Sequence, residues 1–476
     1  MDAGSGPMSW WLVLLALIVA VGTVALVAYL VIVFEAEEEK NEGWWLRILV
    51  VLSFSWACFN ILVLPYDVAN VRGSVYGPGG EINVTTMWIA ILVPMSLLAF
   101  VVCPFAMVYR ETMEPDQTSV WRPIKFAAMV TAALVGVFLL LIFLLWATVG
   151  YTSIAYAQYD VVAPSAKSFE EVVLFSDTSY AATLRFKVSL FVYFVALTCT
   201  IGWMLFFLFG GVGLVAMPVD CFMRFRDRPR PITAAEYALR RAEIAQESQR
   251  LMCDGNKLEQ DESAGHSGRR HRRKVFAFRQ RVAELEAYHD KVETSYREKG
   301  GEVVRGYLFL FLGLVFASIS ILWILQVIIH NLTHLYPLLS NMFIRMDRTF
   351  MLFGVLAYGC FSFYLLSCVV KGCVKLGGNL LLFQIYPMEL GGTLMNAFLF
   401  NAMLVMITST AVVQFCTVSF AEYAVNTNVG AMFTVYVANL QGIKYILTYL
   451  QYPLLVIAGV SLVWLLLCPK RRVDDE

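Results

Sequence analysis

The sequence predicts an all-α, polytopic membrane protein that crosses the bilayer about nine times. Three observations support this fold class: 59% of the 476 residues are apolar, only 15% are charged, and the mean hydropathy is +0.67. A soluble domain carries roughly a quarter charged residues. The deficit of charge therefore places the chain in the membrane class.

Nine apolar stretches are long enough to cross about 30 Å of hydrocarbon as helices. The first is too long for the apolar core of a cleaved signal peptide, and no lysine or arginine precedes it. We therefore interpret it as an uncleaved first span. The predicted spans are residues 9–34, 46–64, 87–109, 126–150, 188–217, 306–329, 349–370, 393–420 and 445–468.

The positive charges predict the orientation of the chain. When successive loops are assigned alternately to two sides, one side carries 28 of the 36 lysines and arginines and the other carries 7. This excess marks the cytosolic side, and the segment 217–305 alone supplies 19 of the 28. We therefore predict an outer or luminal N-terminus and a cytosolic C-terminus. Glycosylation sequons at Asn83 and Asn331 both fall on the predicted outer side.

The chain divides into three predicted segments. Residues 1–216 hold spans one to five, residues 217–305 form a cytosolic loop, and residues 306–476 hold spans six to nine and a short cytosolic tail. The loop contains two stretches of good helix formers, so we predict a helical hairpin within it. Two interpretations stay open for a basic block in this loop: contact with anionic lipid headgroups, or a solvated turn. The block consists of Arg269, Arg270, Arg272, Arg273 and Lys274.

The interiors of the predicted spans contain no charged residue. All 36 aspartates and glutamates fall in loops, tails or span edges, and Asp67 comes closest to a span. Proton relays, ion-coupled pumps and voltage sensors use charged groups inside the membrane, so these classes are disfavoured. The eighth span carries neutral polar residues, among them Asn396, Asn401 and Gln414. Two interpretations stay open for them: hydrogen bonds to neighbouring helices, or a polar pathway or ligand pocket.

Sequence motifs for catalysis and metal binding are missing. The chain has no nucleophile elbow, no Walker loop and no Rossmann fingerprint, and its ten cysteines show no metal-binding spacing. We therefore expect no enzymatic activity, no catalytic residue, no metal ion and no cofactor, and no cofactor-binding residue is identified. The net charge of zero gives no indication of a nucleic-acid partner.

Several short blocks together carry a resemblance to a known family. The blocks are LPYDVAN at 64–70, PFAMVY at 104–109, FGGVG at 209–213, the basic block at 269–274, IYPM at 385–388, TLMN and FLFN within 393–401, and QGIKY at 441–445. In this order and with nine spans, they make the chain resemble the lipocalin-interacting membrane receptor (LIMR) family, also called the limb-region-like membrane proteins. The likeness is strongest to plant and protist members. The individual residues that carry it are Pro65, Asp67, Pro104, Gly211, Gly213, Pro218, Pro387, Asn396 and Asn401.

The resemblance implies an endomembrane receptor or transport escort. The family includes a lysosomal protein that escorts an ABC transporter exporting cobalamin, so the resemblance implies cobalamin as cargo and not as a cofactor. Other members imply a lipocalin-type endocytic receptor or a modulator of signalling receptors. A transporter or channel in its own right stays open as an alternative. The implied partners are membrane lipid, another membrane protein (an ABC transporter or a receptor) and a soluble ligand on the outer or luminal side.

The chain also departs from the family in two features that bear on its location. It has no cysteine in the predicted outer loops, and its C-terminal residues PKRRVDDE contain no tyrosine-based or dileucine-based sorting signal. The expected locations are the lysosome or vacuole, another endomembrane, or the plasma membrane.

Overall fold

The structure is a computed structural model, and it describes most of the chain. The described residues are 10–36, 44–76, 84–113, 121–159, 179–226, 228, 232–263, 278, 281–282, 285–286, 288–296, 303–350, 352–376, 378–380, 383–385, 392–425 and 427–467. Within them, nine helices are long and apolar enough to cross a membrane. The predicted fold class and number of spans are therefore confirmed.

The helices that form the nine spans follow the predicted ranges closely at most ends. The third and sixth spans each include a π-helical turn, and the ninth is interrupted at Leu450. In chain order the helices are Trp10–Phe34; Trp44–Tyr76; Val84–Leu97, Leu98–Val102 (π) and Cys103–Glu111; Trp121–Val149; Leu190–Arg226; Val303–Gln326 and Val327–Leu332 (π); Phe353–Leu376; Met395–Ser419; and Ile443–Tyr449 with Gln451–Leu467. Helices outside the spans include Ala234–Ser263, Leu338–Thr349, and Asn428–Gly430 continued by the π-helical Ala431–Val437.

The second span is longer than predicted. Its helix does not end before Pro65 but continues through it to Tyr76, and the apolar membrane-crossing part extends to Val71. A proline inside a helix removes one backbone donor, and contacts with neighbouring helices can compensate for that loss. Here the ring of Pro65 packs against the seventh span at Gly359, where an added Cβ would lie 3.2 Å from the ring. Asp67, which the sequence analysis placed closest to a span, therefore lies inside this helix, four residues before its apolar part ends.

The eighth span is the most deeply buried of the nine. In its most apolar stretch 89% of the residues are buried inside the protein, compared with 11% in the fourth span. A helix that is enclosed on all sides presents no face to lipid, so its side chains contact other spans. The polar residues that the sequence places on this helix therefore lie in the interior of the bundle.

Glycines allow close approaches between the backbones of several spans. An added Cβ at Gly213 in the fifth span would collide with the backbone of Cys368 in the seventh. An added Cβ at Gly372 in the seventh would likewise collide with the backbone of Phe209 in the fifth. Small residues at such crossings let helices pack tightly where no hydrophobic effect drives them together.

Four strands form two antiparallel hairpins that the sequence analysis did not predict. Strands β1 (Tyr151–Tyr159) and β2 (Ser179–Lys187) pair between the fourth and fifth spans, with Tyr151 opposite Lys187. Strands β3 (Gly378–Leu380) and β4 (Phe383–Ile385) form a much shorter pair between the seventh and eighth spans. These strands are additions to a fold that remains predominantly α-helical.

The described contacts bring together the loops that the charge analysis assigns to one side. At one end, Thr393 pairs with residues 34–36 through backbone hydrogen bonds of 3.1 Å, and Arg47 forms a 2.6 Å ion pair with Glu35. At the other end, which we call the hairpin end, β1 pairs with Leu440 and the side chain of Asp67 contacts Val429. These contacts place the named segments at two ends, whereas which end faces the cytosol stays a prediction.

The chain forms two compact units. The first comprises Met1–Leu214 and Ile321–Ser461, and the second comprises Val215–Ser320 and Leu462–Glu476. In the second unit, the described residues between 278 and 296 are helical and run antiparallel to helix Ala234–Ser263. Tyr237 stacks on Tyr296 with ring centroids 4.2 Å apart, and Phe278 lies beside Gly255. The predicted helical hairpin is therefore present.

Candidate functional site

Three buried polar residues of the eighth span accept hydrogen bonds from neighbouring spans. Ser409 accepts a hydrogen bond from the Asn60 amide at 3.0 Å, and Gln414 accepts one from the Trp203 indole at 2.7 Å. The backbone carbonyl of Ser419 accepts a third, from the Gln326 amide at 2.8 Å. These bonds connect the eighth span to the second, fifth and sixth, which is the arrangement that the helix-packing interpretation predicts.

The two asparagines that carry the family resemblance in the eighth span occupy different positions. Asn401 is 1% exposed and lies within the bundle. Asn396 is in the first turn of the helix, next to Met395, and is half-buried. The structure therefore places both on the buried helix, and Asn401 is the one that lies inside the membrane-spanning core.

Asp67 lies at a buried junction at the hairpin end. Its side chain is fully buried, and its Oδ2 atom accepts hydrogen bonds from the backbone N–H of Val429 at 3.0 Å and from the indole N–H of Trp88 at 3.3 Å. The first N–H groups of a helix have no partner inside the helix, so a carboxyl oxygen can cap them. Thr427 caps the same short helix by accepting a hydrogen bond from the Gly430 N–H at 3.1 Å. Asp67 thus joins the second span, the third span and the segment that follows the eighth.

The remaining described residues of the family resemblance are glycines at helix crossings and prolines inside helices. Gly211 lies against the ninth span, where an added Cβ would be 3.1 Å from the Leu454 carbonyl oxygen, and Gly213 lies against the seventh. Pro104 is in the first turn of helix Cys103–Glu111, directly after a π-helical turn. Because the π-helical turn and this helix are continuous, Pro104 interrupts the backbone hydrogen bonds inside the third span. Pro218 lies inside the fifth-span helix, as Pro65 does inside the second.

A second group of hydrogen bonds links the sixth and eighth spans at the hairpin end. The side chain of Gln326 is fully buried, and its Oε1 atom also accepts a hydrogen bond from the Leu339 N–H at 3.0 Å. Asn331 donates from its Nδ2 atom to the Ser419 hydroxyl at 2.8 Å. A glycan at Asn331 would be attached through this same Nδ2 atom and would replace one of its two hydrogens.

Several predicted site residues lie outside the described residues. These are the sequon residue Asn83, Pro387 of the resemblance, and the basic block formed by Arg269, Arg270, Arg272, Arg273 and Lys274. Their roles stay predictions. Among the described residues, no group of three or more histidine, cysteine, aspartate or glutamate side chains is arranged to hold a metal ion.

At the hairpin end, strands β1 and β2 together with residues 436–441 form a structure that we call the hairpin platform. Backbone hydrogen bonds run from Ser153 N–H to Asn439 at 3.2 Å and from Gln441 N–H to Tyr151 at 3.0 Å. The hydroxyl of Thr152 also donates to the Tyr436 carbonyl at 3.3 Å. The hairpin is therefore fixed at its base to the segment that precedes the ninth span.

The two faces of the hairpin differ in chemistry, because side chains alternate along a strand. On one face Lys187 lies 3.8 Å from the ring centroid of Trp146, and Arg185 lies over Tyr151 and donates to Gln441 at 3.0 Å. On the other face Ile154 lies opposite Leu184, and Tyr156 follows two residues further on. Tyr156 is 46% exposed and Leu184 is 53% exposed, so this second face is apolar and accessible.

Sequence reasoning missed Trp88, Val429 and both strands of the platform. Trp88 and Val429 could not be found, because a hydrogen bond between distant segments leaves no local pattern. The strands did leave a weak one, since YTSIAYAQY and SYAATLRFK are rich in β-branched and aromatic residues. They are separated by residues 160–178, too far apart for the short turn that identifies a hairpin in a sequence.

These features define a class of protein: a nine-span helical membrane protein whose buried polar residues tie its spans together and whose β-hairpin lies beyond them. Its family follows from comparison with known proteins. A family model described as LMBR1-like membrane protein matches residues 11–302. A LIMR family protein of Dictyostelium discoideum is 31% identical over 501 residues, which cover 97% of each chain. The chain therefore belongs to the LMBR1-like, or LIMR, family of membrane proteins.

Plant relatives match over the same length. A LIMR family protein of Arabidopsis thaliana is 31% identical over 506 residues, covering 98% of each chain. One from Oryza sativa subsp. japonica is 31% identical over 484 residues, covering 95% of this chain and 94% of the relative. The plant and protist resemblance predicted from the sequence blocks is thereby confirmed. No solved structure matches the chain.

Proposed function

We propose that the chain is a multi-pass endomembrane receptor or transport escort that acts by binding other molecules and has no enzymatic activity. The observation that carries this proposal is the accessible apolar face of the hairpin platform, formed around Ile154, Tyr156 and Leu184. Apolar side chains exposed together beyond the membrane spans are typical of a binding surface. With the predicted orientation, this face would meet a soluble ligand or the outer part of another membrane protein.

The interior of the bundle gives less support to transport through the chain itself. Two polar side chains of the eighth span, Ser409 and Gln414, are hydrogen-bonded to Asn60 and Trp203 of neighbouring spans. A recess of about 10 Å³ near these spans is lined by apolar residues, including Trp323, Leu365 and Phe415. It is smaller than a typical pocket for a small molecule and offers no polar group to a hydrophilic solute. These observations favour the receptor or escort over the transporter.

A site-specific crosslinker tests the binding surface directly. A photoreactive amino acid placed at Leu184 in the full-length chain, in its own cells, should yield a discrete crosslinked protein after irradiation. The matched control is Thr183, the adjacent exposed residue on the opposite face of the strand, which should not yield it. Crosslinks from Leu184 to lipid alone would contradict the proposal, since the apolar face would then be a membrane contact.

A narrower form of the proposal is an escort that helps an ABC transporter export cobalamin from the lysosome or vacuole. The support for it is the family to which the chain belongs, together with the resemblance on which that role was expected. Labelled cobalamin should accumulate in the organelle of gene-disrupted cells and be depleted from their cytosol. If labelled cobalamin is distributed as in wild-type cells, a role in cobalamin export is excluded. The other form of the proposal is then favoured, which is a lipocalin-type receptor or a modulator of trafficking or signalling.

The second candidate function is a transporter or channel, and Asn401 is the residue that favours it. Its polar side chain is 1% exposed within the membrane-spanning core. Purified protein in liposomes should then move a candidate solute, and Asn401→Leu should reduce the flux. Transport that is unchanged in Asn401→Leu would exclude Asn401 from the pathway.

A further inference from the structure

A cluster of arginines and aromatic rings lies in the second compact unit, where the fifth span ends and the sixth begins. Arg224 and Arg305 both lie beside the ring of Phe309, with their Cζ atoms 5.5 and 6.0 Å from its centroid. Arg228 lies over Phe225 at 4.2 Å and over Tyr307 at 4.9 Å. The two rings that hold Arg228 are themselves 5.7 Å apart.

Among the residues that the structure describes, the guanidinium groups of this cluster have no acidic partner. Arg224, Arg228 and Arg305 take part in no ion pair with any residue that the structure describes. The Nη1 atom of Arg228 is buried and has no hydrogen-bond acceptor among the described residues. A buried charged donor without an acceptor is costly, because burial removes its bonds to water. The arrangement is therefore suited to receive an acceptor from a bound anion.

Gly306 contributes to this geometry by leaving room for Arg228. A Cβ added at Gly306 would lie 3.2 Å from Cδ and 3.6 Å from Nη1 of Arg228. The arginine side chain therefore lies directly against the backbone of the sixth-span helix. Its guanidinium is held by two rings and a helix backbone, which restricts its motion before any ligand binds.

We propose that Arg224, Arg228 and Arg305 bind the phosphate-bearing headgroup of an anionic phospholipid. Arginine presents a planar fork of donors that matches phosphate oxygens, and stacking on aromatic rings leaves the donor edges free. The cluster lies at the end of the spans that the charge bias predicts to be cytosolic, where anionic lipids are enriched.

The surroundings favour a lipid over a soluble phosphate compound. Val304 is 81% exposed and Leu308 is 53% exposed, and both lie in the first turns of the sixth-span helix. Apolar side chains exposed at the start of a membrane span face acyl chains. An anion bound beside them therefore meets hydrocarbon on one side, which suits a phospholipid whose headgroup and acyl chains divide between these surroundings.

The test is native mass spectrometry of the purified full-length chain in detergent, titrated with a phosphatidylinositol phosphate or with phosphatidylcholine. The wild type should bind the anionic lipid in preference to phosphatidylcholine. Arg228→Gln and Arg305→Gln should each weaken that binding about fivefold, the effect of one basic residue near a membrane surface. Arg228→Lys should weaken it less than Arg228→Gln, because the charge remains while the planar fork is lost.

Arg240→Gln provides the matched control. It removes the same charge from the same unit, but Arg240 is already paired with Glu236 at 2.6 Å and lies outside the cluster. Its lipid affinity should equal that of the wild type. Equal weakening in Arg240→Gln and Arg228→Gln would overturn the site, because general charge would then explain the binding. Equal binding of phosphatidylcholine and the anionic lipid would overturn it too.

Two further arms of the experiment keep the proposal falsifiable. If Arg228→Gln is not monodisperse on size exclusion, Arg305→Gln decides the outcome, because Arg305 is exposed and its replacement leaves no buried group unpaired. Inorganic phosphate added during the lipid titration distinguishes the two sources of phosphate. Complete displacement of the lipid by inorganic phosphate would overturn the lipid assignment, whereas binding that resists it supports a lipid site.

Discussion

At the scale of single residues, Asp67 connects three segments that are far apart in the sequence. Its Oδ2 atom receives one donor from the third span and one from the first turn of the helix at Asn428. Asp67 therefore acts as a helix cap. The helix it caps, however, lies more than three hundred and fifty residues away and not in its own span.

Replacing Asp67 should destabilise the protein in a graded way. Asp67→Ala leaves the buried Val429 and Trp88 donors without an acceptor, which costs about 1–3 kcal/mol for an unsatisfied group. Asp67→Asn keeps one oxygen acceptor, so its loss of stability should be smaller but measurable. The apparent melting temperature of the purified protein in detergent measures both effects. An Asp67→Ala variant that melts with the wild type would exclude this structural role.

Gly213 is the residue at which a single added carbon should have the largest steric effect between two spans. A Cβ there would meet the backbone of Cys368, which cannot rotate away as a side chain can. Gly213→Ala should therefore lower the free energy of unfolding by about 1–3 kcal/mol, the range for overpacking a core. Size-exclusion chromatography after heating measures the surviving monodisperse fraction.

Gly136 supplies the control for that substitution. It lies in the fourth span and has nothing within 4 Å of an added Cβ. Gly136→Ala should leave stability unchanged or raise it slightly, because alanine favours a helix over glycine. An equal loss of stability in both variants would show that the close contact at Cys368 does not decide the result.

At the scale of elements, the spans could be predicted from the sequence and the hairpin platform could not. The length of an apolar run reflects the thickness of the hydrocarbon that it crosses, so the sequence predicts the nine spans with small errors at most ends. The second span was cut short at 64 because Pro65 and Asp67 resemble a helix end in isolation. Only tertiary contacts, at Gly359, Trp88 and Val429, explain why that helix continues.

The attachment of the hairpin to residues 436–441 gives a prediction at this scale. Ser153→Pro removes the N–H that donates to the Asn439 carbonyl, whereas Ser153→Ala keeps it. The proline variant should loosen the base of the platform and expose residues 436–441 to limited proteolysis. Its free energy of unfolding should fall by about 1 kcal/mol, the contribution of one hydrogen bond. Identical digestion of the two variants would show that this bond does not hold the platform in place.

At the scale of the whole molecule, the two ends of the first compact unit allow topology and orientation to be tested separately. Phe34 lies at the end where Thr393 pairs with residues 34–36. The opposite end of the first span, and so the N-terminal side of the chain, therefore shares the hairpin end with β1 and β2. The structure relates these segments to each other, and only the charge bias relates them to the cytosol.

Topology and orientation can be tested separately in sealed membrane vesicles. Epitope tags are placed at the N-terminus, within residues 160–178 and at the C-terminus, and protease is added outside. The first two tags should be protected from protease together, and the C-terminal tag should be cleaved, because the side with 28 basic residues is predicted to be cytosolic. If the first two tags are cleaved and the C-terminal tag is protected, the orientation is opposite to the predicted one and the fold still holds. Cleavage of only one of the first two would contradict the fold itself, since both segments follow or precede spans that meet at the hairpin end.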